Sequence, residues 1–313
     1  MNYFKISPFK RYPGNPILKK GNIPYPVNTV FNAGACKYNN MIYLLLRVED
    51  KRGISHLTLA RSKNGFDFKV DSHPFMTPAN YEPYKTYEKF GIEDPRITHF
   101  EDGTYYILYT ANSYYRPRIG IARTYDFEKV ERISLISEPI NKNAALFSEK
   151  IKGKFARLDR PDDESIWISY SPDLIYWGNS KVLLSPRMGR WDCLKIGAAA
   201  PPIKTEKGWL MLYHGVRPTA AGRLYRLGGA LLDLEDPEKV IGISDGFLLG
   251  PEEPYERVGD IGNVIFPCGI VVENNGELKL YYGAADSCIA VATANLPDLI
   301  DCCLFKSKEE FRR

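Results

Sequence analysis

Asp94-Pro-Arg-Ile-Thr-His-Phe100, Thr104-Tyr-Tyr-Ile-Leu-Tyr-Thr110 and Arg118-Ile-Gly-Ile-Ala-Arg123, followed by the polar turn Tyr125-Asp-Phe127, form the stretch that sets the fold class. Three strand-like runs succeed one another, the middle one rich in tyrosine and leucine, with polar breaks between them. The same order recurs along the chain. A first unit has Val30 to Tyr38, Met41 to Val48 and Ile54 to Arg61, closed by Asn64 to Phe68. A third has Ala144 to Ile151, Lys154 to Leu158 and Ser165 to Tyr170, closed by Ser171 to Leu174. The fourth runs through Gly197 to Lys204, Trp209 to Gly215 and Arg226 to Leu232. The fifth runs through Val264 to Val272, Leu278 to Gly283 and Cys288 to Ala294, with Asn295 to Leu299 as its closing turn.

Five units of this kind predict an all-β chain, a five-bladed β-propeller with its active site in the central funnel, since blades typically need about 40 to 50 residues. A β-sandwich with long loops is the alternative. Residues 1–28, punctuated by Pro8, Pro13, Pro16, Pro24 and Pro26, form an extended lead-in that packs on the propeller and wraps an edge. Residues 29–300 form one catalytic propeller domain and 301–313 a C-terminal tail. Helix is expected only in the loop Ala79 to Lys89 and the tail Lys306 to Arg313.

Composition narrows the function classes. At 313 residues, 44% hydrophobic and 26% charged, the chain is a folded protein rather than a disordered one. A net charge of +4 comes from scattered basic residues rather than a block, which argues against nucleic acid as a partner. The six cysteines form no CxxC pair or regular spacing, so reduced, mostly buried thiols are expected. No apolar leader or membrane-length run is present, which points to a cytoplasmic protein without membrane attachment. Homo-oligomer formation is compatible with the sequence, which does not specify it. Walker, GxGxxG, GxSxG and HExxH motifs are missing. His56, His73 and His99 have no obvious partners and read as surface or loop residues.

In a propeller the first strand of every blade converges on the axis, so the polar residue at each strand start is a candidate for one ring. These are Asn32, Asp94, Lys142 with Asn143, Lys195 and Asn263. Singly, each is an ordinary turn residue. Asp94 lies between Glu93 and Pro95-Arg96, where the proline can fix the backbone and aim the carboxylate off a strand end. A turn cap paired with Arg96 is the simpler reading of that stretch. Middle-strand ends add Arg47, Arg160, His214 and, just beyond, Asp286. Lys142, Arg160, Lys195 and His214 together make a cationic pocket that suits a phosphate. Four independent surface charges remain the alternative. No second His or Cys stands at ligand spacing from His214, so no metal site is expected.

The chain resembles the mannoside phosphorylases of glycoside hydrolase family 130 from about Asn28 to Leu299. The resemblance rests on Phe31-Asn-Ala-Gly-Ala35, Leu45-Leu-Arg47, Glu93-Asp-Pro-Arg-Ile97, Leu146 to Ile151 with Arg157-Leu-Asp-Arg-Pro161, Lys195 to Ile203, Gly208 to Val216, Tyr225 to Asp233 and Tyr281-Tyr-Gly-Ala-Ala-Asp286, all in the family's order. It implies a five-bladed propeller that cleaves β-mannosides with inorganic phosphate as co-substrate and no cofactor. By the same resemblance Asp94 is the general acid, its proton passing through a sugar hydroxyl, and Asn32, Arg47 and Asp286 hold the mannosyl ring. Arg96, Asn143 and Asn263 are counted with them as substrate-binding residues. Arg160, Lys195, His214 and Tyr225 line the phosphate site, together with Lys142, which stands where some members carry arginine. The Glu-Asp-Pro-Arg form is closer to members acting on β-1,2-mannosides than on β-1,4-mannosides. A hydrolase of the same family, recruiting Glu252, Glu253 or Asp260 as base, and a non-catalytic glycan-binding propeller are the alternative functions.

Overall fold

The structure, a computed structural model, describes residues 7–304. Two short strands come first, β1 (Lys10–Arg11) and β2 (Leu18–Lys19). Blade 1 is built from β3 (Thr29–Tyr38), β4 (Met41–Glu49), β5 (Ser55–Ser62) and β6 (Lys69–Val70). Blade 2 follows with β7 (Gly91–His99), β8 (Tyr105–Asn112), β9 (Arg118–Thr124) and β10 (Glu131–Leu135). Blade 3 has β11 (Ala145–Leu146), β12 (Phe155–Asp159), β13 (Ile166–Ser171) and β14 (Gly178–Leu184). Blade 4 has β15 (Lys195–Ala198), β16 (Ile203–Thr205), β17 (Gly208–Thr219), β18 (Gly222–Leu232) and β19 (Val240–Ile243). Blade 5 has β20 (Ile265–Val272), β21 (Glu277–Ala284) and β22 (Cys288–Asn295). Both lead-in strands pair antiparallel with β22, so the start of the chain supplies the outer edge of the last blade.

Side-chain alternation explains why these runs make a ring. In β8, Tyr105, Ile107 and Tyr109 pack in a core shared with blade 1, while Tyr106 and Leu108 pack in a core shared with blade 3. In β17, Trp209, Met211 and Tyr213 face blade 3 and Leu210 and Leu212 face blade 5. In β4, Ile42, Leu44 and Leu46 face blade 5 and Tyr43 and Leu45 face blade 2. Five cores thus lie between successive blades, and the one joining blades 5 and 1 closes the circle. A sandwich buries one face of each sheet, whereas these middle strands bury both.

Several local expectations are corrected. The supposed closing turn Asn295 to Leu299 opens a helix, Leu296–Leu304, in which Leu299, Ile300 and Cys303 share a buried face. Pro297 is tolerated there because a first-turn residue needs no N–H partner. Among the described residues a 3-10 turn, Lys20–Asn22, lies in the lead-in, and the α-helices are, in chain order, α1 (Tyr84–Tyr87), inside the loop where a short helix is expected, α2 (Pro254–Arg257) and α3 (Leu296–Leu304). The last of these runs into the segment assigned to the tail; the helix expected at Lys306 to Arg313 lies outside the described residues. Outer strands such as β14 follow the expected turns and are missing from the sequence reading, and most of β14 is exposed, so it carries no alternation to be read. His56 is not a surface residue: it lies on β5, is 9% exposed, and its Nε2 is 2.9 Å from Tyr25 Oη.

Loops leading into three inner strands are held by the same device. A fully buried carboxylate in the loop accepts from a middle-strand tyrosine and pairs with an arginine: Glu88 with Tyr109 (2.7 Å) and Arg132 (2.8 Å) in blade 2, Asp192 with Tyr213 (3.0 Å) and Arg187 (2.8 Å) in blade 4, and Glu256 with Tyr282 (2.8 Å) and Arg11 (2.8 Å) in blade 5. The third clamp also ties the lead-in to the last blade. Removing one partner of a buried ion pair strands the other charge. Arg11→Met is therefore expected to lower unfolding free energy by about 3–5 kcal/mol, read by denaturant titration. An unchanged midpoint would mean that Glu256 finds another counter-charge.

Candidate active site

Inner-strand starts carry an unusual backbone. Asn32 (φ 49°), Asp94 (φ 50°), Asn143 (φ 58°) and Asn263 (φ 62°) are all left-handed, a conformation that Asn and Asp accept more readily than other side chains. In β3 and β7 the register against the middle strand slips by one residue at this point, between Phe31 and Gly34 and between Glu93 and Arg96. Each slip is a β-bulge, a device that re-aims a side chain. Pro95 fits inside the second bulge, where the ladder needs no N–H. The two bulges bring Asn32 and Asp94 together, Asn32 Nδ2 donating to Asp94 Oδ1 at 2.9 Å. Gly283 permits the approach of blade 5, since a side chain there would overlap Asn32 Oδ1.

Carboxylates dominate this wall of the funnel. Arg47 Nη1 donates to Asp94 Oδ1 at 3.0 Å, Nη2 lies 3.2 Å from Glu93 Oε1, and Nε donates to Ser55 Oγ at 3.0 Å. Burial alone would push the Asp94 carboxyl up, but Arg47 and Arg96, with the hydrogen bonds from Asn32 and Arg47, hold it below the ordinary carboxylate range. Asp286 differs. Burial, then the negative charge of Asp94, push it up to about 7, against the pull of Arg47. One carboxylate is thus kept ionised while its neighbour holds a proton near neutrality.

Cations gather on the wall formed by blades 3 and 4. Arg160, 2% exposed, places Nη1 3.2 Å from His214 Nε2 and Nη2 3.0 Å from Asp163 Oδ1, and Lys195 Nζ lies 3.5 Å from Asp163 Oδ2. Lys195 is pushed down by its burial and by the charges of Arg160, Lys142 and Arg223. His214 falls well below its usual value because it is buried beside Arg160, Arg96, Lys195 and Lys142, so it is neutral. A guanidinium can only donate, so His214 Nε2 accepts and its proton resides on Nδ1. That Nδ1 and Arg160 Nε are buried without a protein partner among the described residues, donor capacity the fold does not use. The Tyr225 ring is 6.1 Å from that of His214.

The sequence-predicted residues do converge, with some changes of role. Arg96 is 1% exposed and spends its guanidinium on the carbonyls of Ala199 (2.9 Å), Asp94 (2.8 Å) and Ala198 (3.2 Å), so it spans from the acid to blade 4 rather than facing a sugar. Asn143, oriented so that its oxygen faces donors, accepts from both η nitrogens of Arg160 at 3.1 and 3.2 Å, which sets it on the cationic side. Asn263 Oδ1 accepts from Arg257 at 3.2 Å. Three participants are absent from the sequence reading: Glu93, Asp163 and Arg223. Glu93 sits beside Asp94 in the run Glu93-Asp-Pro-Arg-Ile97, but its pairing with Arg47 is a contact between blades that no local pattern announces.

Paired carboxylates on one wall of the propeller's funnel and a cation cluster on the other can hold a proton on one side and an anionic group on the other. The sequence profile of glycoside hydrolase family 130, described as beta-1,4-mannooligosaccharide phosphorylase, matches residues 8–304. The chain belongs to this family. It is 37% identical over 306 residues to a 1,2-beta-oligomannan phosphorylase of Thermoanaerobacter sp., covering 93% of this chain and 98% of the relative. It is 33% identical over 303 residues to a beta-1,4-mannooligosaccharide phosphorylase of Ruminococcus albus, covering 93% and 89%. Among solved structures, the beta-1,2-mannobiose phosphorylase of Listeria innocua in complex with beta-1,2-mannobiose superposes with a TM-score of 0.86 at 32% identity, covering 94% of this chain and 99% of that one.

The carboxylate pair makes stability depend on pH. Asp286 has a folded value near 7 against an ordinary 3.8, so the fold retains a proton that the unfolded chain releases. Its contribution is present in acid and lost as pH rises through about 7. Asp286→Asn is expected to gain thermal stability over the wild type at pH 8.5 but little at pH 4. Parallel melting curves for the two proteins across that range would contradict the assignment.

Proposed function

We propose that the protein is an inverting β-mannoside phosphorylase that takes β-1,2-mannobiose or oligomannan in preference to β-1,4-mannosides. The products are α-mannose 1-phosphate and a shortened acceptor. The observation that carries this reading is the cluster of Lys142, Arg160 and Lys195 around neutral His214, across the funnel from Asp94. Two relatives named for β-1,2 substrates support the linkage, as does the Glu93-Asp-Pro-Arg96 form.

Inverting hydrolysis needs a second carboxylate about 6.5–9.5 Å from the acid to activate water. Phosphate arrives already charged and removes that need. One of its oxygens bonds to the anomeric carbon as the bond from that carbon to the leaving sugar breaks, and the leaving oxygen takes a proton from Asp94 through a sugar hydroxyl. Lys142, Arg160 and Lys195 concentrate and orient the anion, with His214 and Tyr225 beside them. Asn32, Arg47 and Asp286 hold the mannosyl ring. Asp94 rests ionised, so it must gain a proton before transfer, and Asp286 is the neighbour that holds one at neutral pH. Of the carboxylates a hydrolase could recruit as base, Glu252 pairs with Arg11 at 3.1 Å and Glu253 caps α2, while Asp260 lies near enough to Asp286 to raise it. Nothing in this scheme calls for a cofactor.

Incubated with β-1,2-mannobiose, the wild type is expected to release mannose 1-phosphate only when phosphate is supplied. Free mannose formed equally fast in phosphate-free buffer would replace this reading with a hydrolase. Asp94→Asn is expected to lower kcat by roughly 10²–10⁴-fold. Lys195→Ala is expected to raise KM for phosphate about ten- to hundredfold while KM for the mannoside moves little, because a charge-assisted contact to one co-substrate is lost. Equal effects on both constants would place Lys195 outside the phosphate site.

A further inference from the structure

Inner strands begin, and middle strands end, at the same mouth of the funnel, so two loops of blade 2 flank Asp94. One is the segment 79–90 leading into β7; the other is the turn 113–117 between β8 and β9. Both carry aromatic rings turned outward. Tyr114 is 76% and Tyr115 61% exposed, although neither side chain is needed to fill a core. Phe90 meets Tyr114 edge-on with centroids 4.3 Å apart, Tyr87 lies 5.8 Å from Tyr115, and Arg118 caps Tyr87 at 4.6 Å.

The patch is continuous with the site and is firmly held. Asn112 Nδ2 donates to Glu93 Oε1 at 3.1 Å, and the Phe90 N–H donates to the Asn112 carbonyl at 2.8 Å. Glu93 in turn shares Arg47 with Asp94. Beneath the loop, Glu88 takes hydrogen bonds from Tyr109, Arg132 and the Ala79 N–H (2.8 Å). Exposed rings on an anchored loop beside a site are pre-organised, so a ligand that covers them orders little on binding. Aromatic faces cover the apolar C–H faces of pyranose rings while the hydroxyls stay in water.

We propose that Phe90, Tyr114 and Tyr115 form a stacking platform for the acceptor-side sugars of a longer β-mannoside, beyond the residue joined at the scissile bond. The inference rests on the reading of the protein as a β-mannoside phosphorylase. It makes blade 2 the determinant of chain-length preference, separate from the groups that break the bond.

The test measures kcat/KM for phosphorolysis of β-1,2-mannooligosaccharides of increasing length by the wild type and by Tyr114→Ala/Tyr115→Ala. The wild type is expected to favour the tetramer over the dimer. In the double variant the tetramer-to-dimer ratio is expected to fall about tenfold, through KM rather than kcat, as stacking area is lost. A wild type indifferent to length, or a variant that keeps the wild-type ratio, overturns the platform and leaves the phosphorylase reading standing. A wild type that releases no mannose 1-phosphate from any length overturns that reading and the platform with it.

Discussion

Left-handed backbone at the start of the inner strands is the constraint on which the site depends. A regular strand residue would send its side chain into a core between blades, where a carboxylate has no place. A bulge with positive φ at Asn32 and at Asp94 turns both side chains out of that alternation and against each other. The cost is met by residue type, since Asn and Asp accept this conformation, and by the interblade cores that hold the strands on either side. The carboxylate clamps fix the loops feeding the strands, so the position of Asp94 is determined from both directions.

Charge separation across the funnel follows from which blade supplies what. Blades 1, 2 and 5 contribute Asn32, Arg47, Glu93, Asp94 and Asp286, while blades 3 and 4 contribute Lys142, Arg160, Lys195 and His214. Arg96 joins the two sides, bonding to the Asp94 carbonyl and to carbonyls of blade 4. Its charge lowers the proton affinity of both Asp94 and His214. The same guanidinium therefore helps keep Asp94 ionised and His214 neutral beside the cations.

Much of this was legible in the sequence because it is local. Repeating runs of apolar residues with tyrosine mark the middle strands, and in blades 1, 2, 3 and 5 the Asn or Asp at the inner-strand start is the left-handed residue, whereas blade 4 starts with Lys195. What escaped is tertiary. The pairing of Glu93 with Arg47 and the hold of Asp163 on Lys195 join residues whose spacing says nothing about contact. Arg96 and Asn143 are both counted as substrate-binding residues, and their partners, the carbonyls of Ala198 and Ala199 for one and the guanidinium of Arg160 for the other, could be known only once blades 2, 3 and 4 met. The last helix was hidden by Pro297, which reads as a turn residue although the first turn of a helix accepts it. The outer strands were hidden by exposure, which leaves no apolar pattern.

In the proposed reaction the anion attacks from the cationic wall while the leaving oxygen faces Asp94. A crystal structure of Asp94→Asn with inorganic phosphate and β-1,2-mannobiose tests it most directly. The account predicts phosphate against Arg160 and Lys195, on the side of the anomeric carbon opposite the glycosidic oxygen. Phosphate bound away from those side chains, or on the same side as the leaving oxygen, would contradict it.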